Sequence, residues 1–395
     1  MTIVDKIKNK HLCLGCGLCS SVLGEEKCRM DLGNDGFYTP IVEKKLSKND
    51  SKLIGRLCPG IHVESEKQSG VWGAMEAIEE VWSADSSIRH KAASGGAVTS
   101  IALYLLESHY VDAVLQVGKN DDTYLYNSLK VSRTREHIIS NAQSRYAPAL
   151  VFNDFVNILD SSEEKFAFIG KPCDVAAVKN FLREYPKYNN RIKFCISIFC
   201  AGMPSYNATK KTWQMSGRTD EPVSLKYRGD GWPGYFHAVW QDGSEFKLTY
   251  NESWGKVLGR QVGFRCKICP DGIGMLADIA VGDSWATKNG YPDFTESEGK
   301  CFVMVRTPKG VEFIKKADEA GYIVRNTLDV NKIAEMQPYQ YNRRKLEGWR
   351  LVPVQIFSGF MLNFKGLHIF RQAVSANFSE GFKNMIGTAK RIIKN

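Results

Sequence analysis

Residues 165–182 read "KFAFIGKPCDVAAVKNFL". The apolar run ending at Gly170 predicts a buried strand, and "KPCDVAAVKNFL" predicts the helix that follows it. Cys173 falls at the junction. Strand ends and helix starts are where α/β folds hold ligands, so a cysteine there is a candidate for chemistry.

The same alternation continues on both sides. "SGGAVTSIALYLLES" (94–108) has helical apolar spacing, and "VDAVLQVG" (111–118) reads as a strand. "KFCISIFC" (193–200), "DIAVGDSW" (278–285) and "CFVMVRT" (301–307) read as further strands, and "KGVEFIKKADEAG" as a helix. The stretch 223–250 alternates between turn signals and predicts antiparallel strands. The fold class expected is mixed α/β, or α+β. Its parts are a small cysteine-rich module over 1–70, an α/β part over 71–155, its continuation over 156–350, and a tail over 351–395. "SGVWGA" (69–74) reads as a linker.

The chain has 395 residues, 43% hydrophobic and 24% charged, which is ordinary for a globular protein with two or three domains. The start "MTIVDKIKNK" lacks the apolar core of a signal peptide. No apolar stretch reaches the ~18 residues of a membrane span. A cytoplasmic location is expected. Eleven cysteines in such a chain read as metal ligands or redox groups rather than disulfides. The net charge of +10 suits anionic partners, but no nucleic-acid-binding signature accompanies it. The tail carries six basic residues (Lys365, Arg371, Lys383, Lys390, Arg391, Lys394) and one acid, Glu380, interleaved with apolar residues. A pair of packed amphipathic helices is expected there, with docking on an anionic membrane or on a partner as the alternative.

"CLGCGLC" holds Cys13, Cys16 and Cys19 at the spacing of a ferredoxin cluster loop. The local fourth ligand is missing, since Leu23 stands in its place. Two cysteines compete for that role. Cys28 is near but has no proline after it. Cys58, in "RLCPG", carries the Cys-Pro signature of a ligand donated from the other half of a two-cluster module, and is favoured for that reason. A four-cysteine zinc site is the alternative, disfavoured because zinc sites pair two knuckles. Cys173, Cys200 and the knuckle Cys266/Cys269 in "FRCKICPDG" make a second candidate 4Fe–4S site. Cys195 and Cys301, inside apolar strands, read as structural thiols. The seven histidines show no metal spacing; His90 is the one worth following, and a solvated side chain is its plainer reading. No P-loop, nucleophile elbow or Rossmann fingerprint is present.

Together, "CLGCGLC", "ASGGAVTSIALYLLE", "QSRYAPAL", "GKPCDVAAV", "FCAGMPS", "KYRGDGWPG" and "CKICPDGIGMLADIAVGDSW" resemble the coenzyme F-420 hydrogenase/dehydrogenase beta-subunit family, over about residues 10 to 290. The resemblance implies a ferredoxin-type module followed by a mixed-sheet flavin and iron–sulfur domain. It implies two 4Fe–4S clusters and FAD passing electrons between a redox partner and a substrate. That substrate is a deazaflavin in methanogen members and a chlorophyll intermediate in a plant relative. The N-terminal style is similar to bacterial members encoded with polysaccharide-biosynthesis genes, which implies a small-molecule or glycan-related substrate. The donor would be a ferredoxin or another electron-carrying protein.

For the implied flavin, Ser94, Gly95 and Gly96 before a helix offer a phosphate site. A plain Ser N-cap is the alternative on physics alone. Arg145 and Tyr146, and Lys226, Arg228 and Trp232 of "KYRGDGW", could add charge and aromatic faces. Asp278 and Asp283 in "ADIAVGDSW" could hold a ribityl hydroxyl or relay a proton; turn capping is the equal alternative. Three functions follow: a self-contained flavin and iron–sulfur oxidoreductase, an electron-transfer subunit docking on a catalytic partner, or a zinc-stabilised binding protein.

Overall fold

The computed structural model describes every residue except 67–68, 122, 360–361 and 395. Its centre is an eight-stranded sheet. In chain order the strands are β1 (Ala77–Ser83), β2 (Ala113–Lys119), β3 (Asn127–Ser132), β4 (Phe166–Gly170), β5 (Ile192–Ile198), β6 (Ile279–Asp283), β7 (Cys301–Val305) and β8 (Ile323–Thr327). They lie in the order β8-β1-β7-β6-β5-β4-β2-β3. The four central strands β2, β4, β5 and β6 run parallel. β3 pairs antiparallel with β2 on one edge; on the other side β7, β1 and β8 follow, each antiparallel to the strand before it. The mixed α/β class read from the sequence is therefore the class observed.

All five residues of β4 are buried, as expected of a central parallel strand covered on both faces. Alternation along it separates two cores. Phe166 and Phe168 join one cluster with the helix Pro172–Glu184, while Ala167 and Ile169 join another with the helices Ala97–Glu107 and Pro308–Glu319. Proline at the first position and the capping contacts of Thr307 start the last of these. Three antiparallel strands, Ser224–Lys226, Phe236–Val239 and Glu245–Leu248, form a separate small sheet over a third core around Tyr206, Trp213 and Phe236.

The cysteine-rich N-terminal residues share a core with the main body. Val4, Ile7, Leu12, Leu18, Ile54 and Leu57 belong to the same core as Phe168 of the main sheet and Phe155 of the helix Phe155–Asp160. The module is built on a shared core because its short helices each turn one apolar stripe onto the larger body. The expected linker at 69–74 is likewise held: Arg306 donates to the carbonyls of Trp72 and Ala74, and Arg344 to that of Val71. The expected pair of tail helices is more elaborate. The helix Pro338–Phe357 runs through the boundary placed at 350/351. Asn363–Lys365 then pairs in parallel with His62–Glu64, tying tail to module. Helices Ile369–Ala373 and Phe378–Lys394 follow. Phe360, Met361 and Asn395 of the tail lie outside the described residues. Among the described residues, no helix is long and apolar enough to cross a membrane.

Candidate redox site

Four cysteines of the first set surround one small void. Cys13, Cys16, Cys19 and Cys58 line a cavity of about 30 Å³ whose remaining walls, such as Val4, Ile7 and Leu57, are apolar. Gly17 makes the loop possible: its φ is +85°, and a Cβ there would lie 2.9 Å from the Asn153 amide. The helix Leu18–Leu23 carries Cys19, and Cys58 ends the helix Lys48–Leu57. The Gly15 amide donates to the Cys13 sulfur at 3.3 Å. Burial, followed by the neighbouring Cys58, pushes the Cys13 thiol up to about 12. Iron would have to displace these protons to bind. Cys28 does not line the void; its sulfur sits behind it, 3.9 Å from that of Cys19.

The second set also comes together. Cys173 stands in the first turn of the helix Pro172–Glu184, Cys200 just beyond β5, and Cys266 in the short helix Phe264–Lys267, ahead of Cys269. Cys200 is raised to about 12 by burial and then by Cys266, with Cys269 also contributing. Cys173 is raised by burial, with Asp174, Cys200 and Cys269 adding to it. Among the described residues, no three His, Cys, Asp or Glu side chains converge tightly enough to hold a single metal ion. Both sets have the donor chemistry of a four-iron cluster.

Arginines brace both sets. Arg343 donates to the carbonyls of Cys200 (3.0 Å) and Cys266 (2.6 Å), and Arg344 to that of Pro270 (3.0 Å). The Arg343 Nε is buried without a partner, as a donor awaiting an acceptor at that site would be. Arg265 joins the two sets. It precedes Cys266, yet it donates to the carbonyls of Gly60 (2.6 Å) and Pro59 (3.0 Å), the residues that follow Cys58. Sequence reading missed these arginines. The position of Arg265 beside the knuckle was the one signal available.

Glu347 lies among Arg343, Arg350, Arg265 and Arg344 with both carboxylate oxygens unpartnered. Burial outweighs these arginines and raises its pKa from 4.5 to about 7. The folded state therefore binds this proton more tightly than the unfolded chain. Its contribution is fully present below about pH 4.5 and lost as pH rises towards about 7. Glu347→Gln is expected to flatten that dependence, by up to roughly 3 kcal/mol. Urea midpoints of both proteins at pH 5 and pH 8 measure it; equal pH dependence in the two would refute it.

A larger cavity, of about 300 Å³, opens at the C-terminal ends of β4, β5 and β6. This is where open α/β sheets bind ligands, and the volume is at the lower end for a ligand pocket. Ser94, Gly96, Arg145, Tyr146, Arg228 and Asp283 line it, and so does Cys200 of the second set. Arg228 makes two contacts to Asp283 (3.0 and 3.1 Å), which also accepts from Trp232 Nε1 (3.0 Å). Burial opposes the Asp283 charge, but Arg228, Ser94 and Trp232 still hold its carboxyl below the usual range. Arg145 is held by Asn127 Oδ1 and the carbonyls of Leu225 and Tyr124. Among the described residues it has no carboxylate partner, and burial lowers its pKa.

The other expected flavin residues fall elsewhere. Lys226 pairs with Asp230 at the rim of the small sheet, outside the lining. Trp232 stacks on Trp285 (4.4 Å) behind Asp283. Gly95 meets β7 instead: a Cβ there would lie 2.9 Å from Lys300 Cα. Ser94 is not the N-cap; Gly96 is, with no side-chain cap, and the Ala97 amide faces the Cys301 sulfur. Cys301 thus lines the cavity rather than serving only the core, unlike Cys195, which is buried in β5. Asp278 faces the opposite end of β6. It accepts from the Cys195 amide and Thr307, and pairs with Lys309, a purely structural set of partners. His90 is exposed. Gly282 and Gln337, neither singled out in the sequence, complete the floor.

Two cysteine sets braced by arginine, beside a cavity at the ends of parallel strands, mark this mixed α/β fold. Two family models match the chain, both of the coenzyme F420 hydrogenase/dehydrogenase beta subunit: its N-terminal part over residues 79–153 and its C-terminal part over residues 163–330. The chain belongs to the coenzyme F420 hydrogenase/dehydrogenase beta-subunit family. It is 28% identical over 244 residues to the F420-dependent formate dehydrogenase 1 subunit beta of Methanococcus maripaludis, covering 62% of this chain and 59% of that one. It is 27% identical over 253 residues to the coenzyme F420 hydrogenase subunit beta of Methanococcus voltae, covering 62% and 82%. The chain thus spans less than two thirds of the first of these relatives. A chain of the F420-reducing [NiFe] hydrogenase complex of Methanosarcina barkeri shares the fold, with a TM-score of 0.55 at 21% identity. It covers 72% of this chain and 95% of that one.

Proposed function

We propose that this chain is an electron-transfer subunit that carries two 4Fe–4S clusters and a flavin, FAD by family likeness, and docks on a catalytic partner. One observation carries the reading: Cys200 belongs to the second cysteine set and also lines the strand-end cavity, so the two sites abut. The relatives named above are subunits of a dehydrogenase and a hydrogenase, which supports a partner and a deazaflavin-type substrate for the complex. Cys13, Cys16, Cys19 and Cys58 would hold one cluster, and Cys173, Cys200, Cys266 and Cys269 the other. A flavin in the cavity would exchange single electrons with a cluster and electron pairs with a substrate.

The residues of the chain have definite tasks in this reading. Arg145, lacking a carboxylate, offers charge to an anionic group. Asp283 neutralises Arg228 and fixes it against Tyr250, 5.1 Å from the guanidinium, so that the mouth keeps its shape. Burial disfavours the Lys171 charge, but Asp174 at 2.6 Å keeps it a cation at the edge nearest Cys173. Arg265, next to Cys266, ties the second set to the loop that follows Cys58 through backbone carbonyls.

Anaerobic purification tests the proposal. The expected product is brown-yellow, with about eight irons per chain and releasable flavin. Colourless protein holding zinc would overturn it. Turnover of a small-molecule acceptor by the chain alone would replace the subunit reading with that of a self-contained oxidoreductase.

A further inference from the structure

The C-terminal helix Phe378–Lys394 packs on Pro338–Phe357 through a narrow stripe. Gly381 lies against the Trp349 ring, where a Cβ would come within 2.4 Å, and Thr388 is buried one further pair of turns along. Arg350 donates to Asn384 on the same side (3.0 Å). With that stripe committed to the body, a second apolar stripe stays in solvent. Phe378 is 72% exposed, Phe382 44%, Ile386 38% and Ile393 74%, and their spacings of four, four and seven put them on one face. Phe370, Val374, Ile356 and Phe357, elsewhere in the tail, are also at least half exposed.

Lys383, Lys390 and Lys394, at spacings of seven and four, line the edge of the exposed stripe, with Arg391 beyond them. None of the four has an ion-pair partner among the described residues. Elsewhere on this chain cations are commonly paired, as in Arg133–Glu164 and Arg325–Asp318. Glu380 is the one acid in residues 351–394.

We propose that this face seats the protein on an anionic lipid surface, with Phe382, Ile386 and Ile393 entering the headgroup boundary and the lysine edge meeting lipid phosphates. The charge argues for lipid: four unpaired cations flank the stripe and one acid opposes them. The shape argues the same way. The apolar residues form a ridge along about 24 Å of a 17-residue helix, rather than a pocket for a single anchor. The interaction is independent of the redox reading, because it uses no cysteine and no residue of the cavity.

Flotation of the holoprotein with vesicles tests it, using phosphatidylglycerol mixed into phosphatidylcholine and phosphatidylcholine alone. Binding is expected to the anionic vesicles, at least tenfold weaker to the neutral ones, and reduced by salt. Lys383→Glu with Lys390→Glu, and separately Phe382→Ser with Ile393→Ser, are each expected to weaken it about tenfold or more at unchanged iron content and circular dichroism. Equal binding to both vesicle types, or binding that neither double variant weakens, would overturn the proposal. So would a dimer in solution that dissociates in the Phe382→Ser, Ile393→Ser variant, since the face would then belong to a second copy.

Discussion

Cys58→Ser is expected to lower the iron content of the anaerobically purified chain from about eight atoms to about four and to erase one of two cluster signals in electron paramagnetic resonance. Cys28→Ser is expected to leave both intact. The two residues differ in what their sulfurs face. Cys58 closes the void framed by Cys13, Cys16 and Cys19, whereas Cys28 packs behind Cys19. Serine cannot replace a soft thiolate on iron, so losing one of four ligands removes the cluster. The effect should reach beyond the metal, because Cys58 also starts the loop whose carbonyls Arg265 holds. Four irons lost in Cys28→Ser, with eight kept in Cys58→Ser, would reverse the ligand assignment.

Asp283→Asn should be the most damaging change that spares every cysteine. Arg228 is 3% exposed, and its guanidinium would be left inside the protein without its anion. Removing one partner of a buried ion pair costs roughly 3 to 5 kcal/mol, much more than the pair itself contributes. The urea midpoint should fall accordingly, and flavin should be retained more weakly. Replacing both residues, Arg228→Leu with Asp283→Leu, removes the stranded charge and should recover much of the stability. A single variant within about 1 kcal/mol of the parent, or a double variant worse than the single, would show that the pair is not what braces the cavity mouth.

Both variants rest on features that were unequally visible in the sequence. The central strands could be read because they are buried on both faces and therefore apolar without interruption, as in "FAFIG". Strand β1, paired on both sides by β7 and β8, escaped notice. Its Glu79 and Glu80 break the pattern, and they are tolerated because Arg325 of the neighbouring β8 and Lys300, just before the neighbouring β7, pair with them. The choice of Cys58 over Cys28 rested on a single proline. The two aspartates of "ADIAVGDSW" could not be told apart, since both flank the same strand. Direction along the strand separates them: Asp283 reaches the cavity end and Asp278 the opposite end. Lys226 and Trp232 were grouped with Arg228 because they are near it in sequence. In a short strand with a tight turn, however, neighbours point different ways, and Arg228 alone of the three lines the cavity. Cys301 looked like core packing, and its contact with Ser94 joins residues 207 positions apart.

The helix Pro338–Phe357 bears on what counts as the smallest inheritable piece of this architecture. All eight cysteines of the two sets precede residue 330, where the family match ends. The side chains that pin the second set in place do not. Gln340, Arg343 and Arg344 reach back to the carbonyls of Cys200, Cys266 and Pro270 from beyond that limit. A chain cut after residue 330 would keep all eight cysteines and lose the side chains that hold the second set's carbonyls. The block shared with the methanogen proteins is thus not a freestanding cassette. In this chain the buttress against the cysteine knuckle comes from outside the block, and it works through donors to three backbone carbonyls.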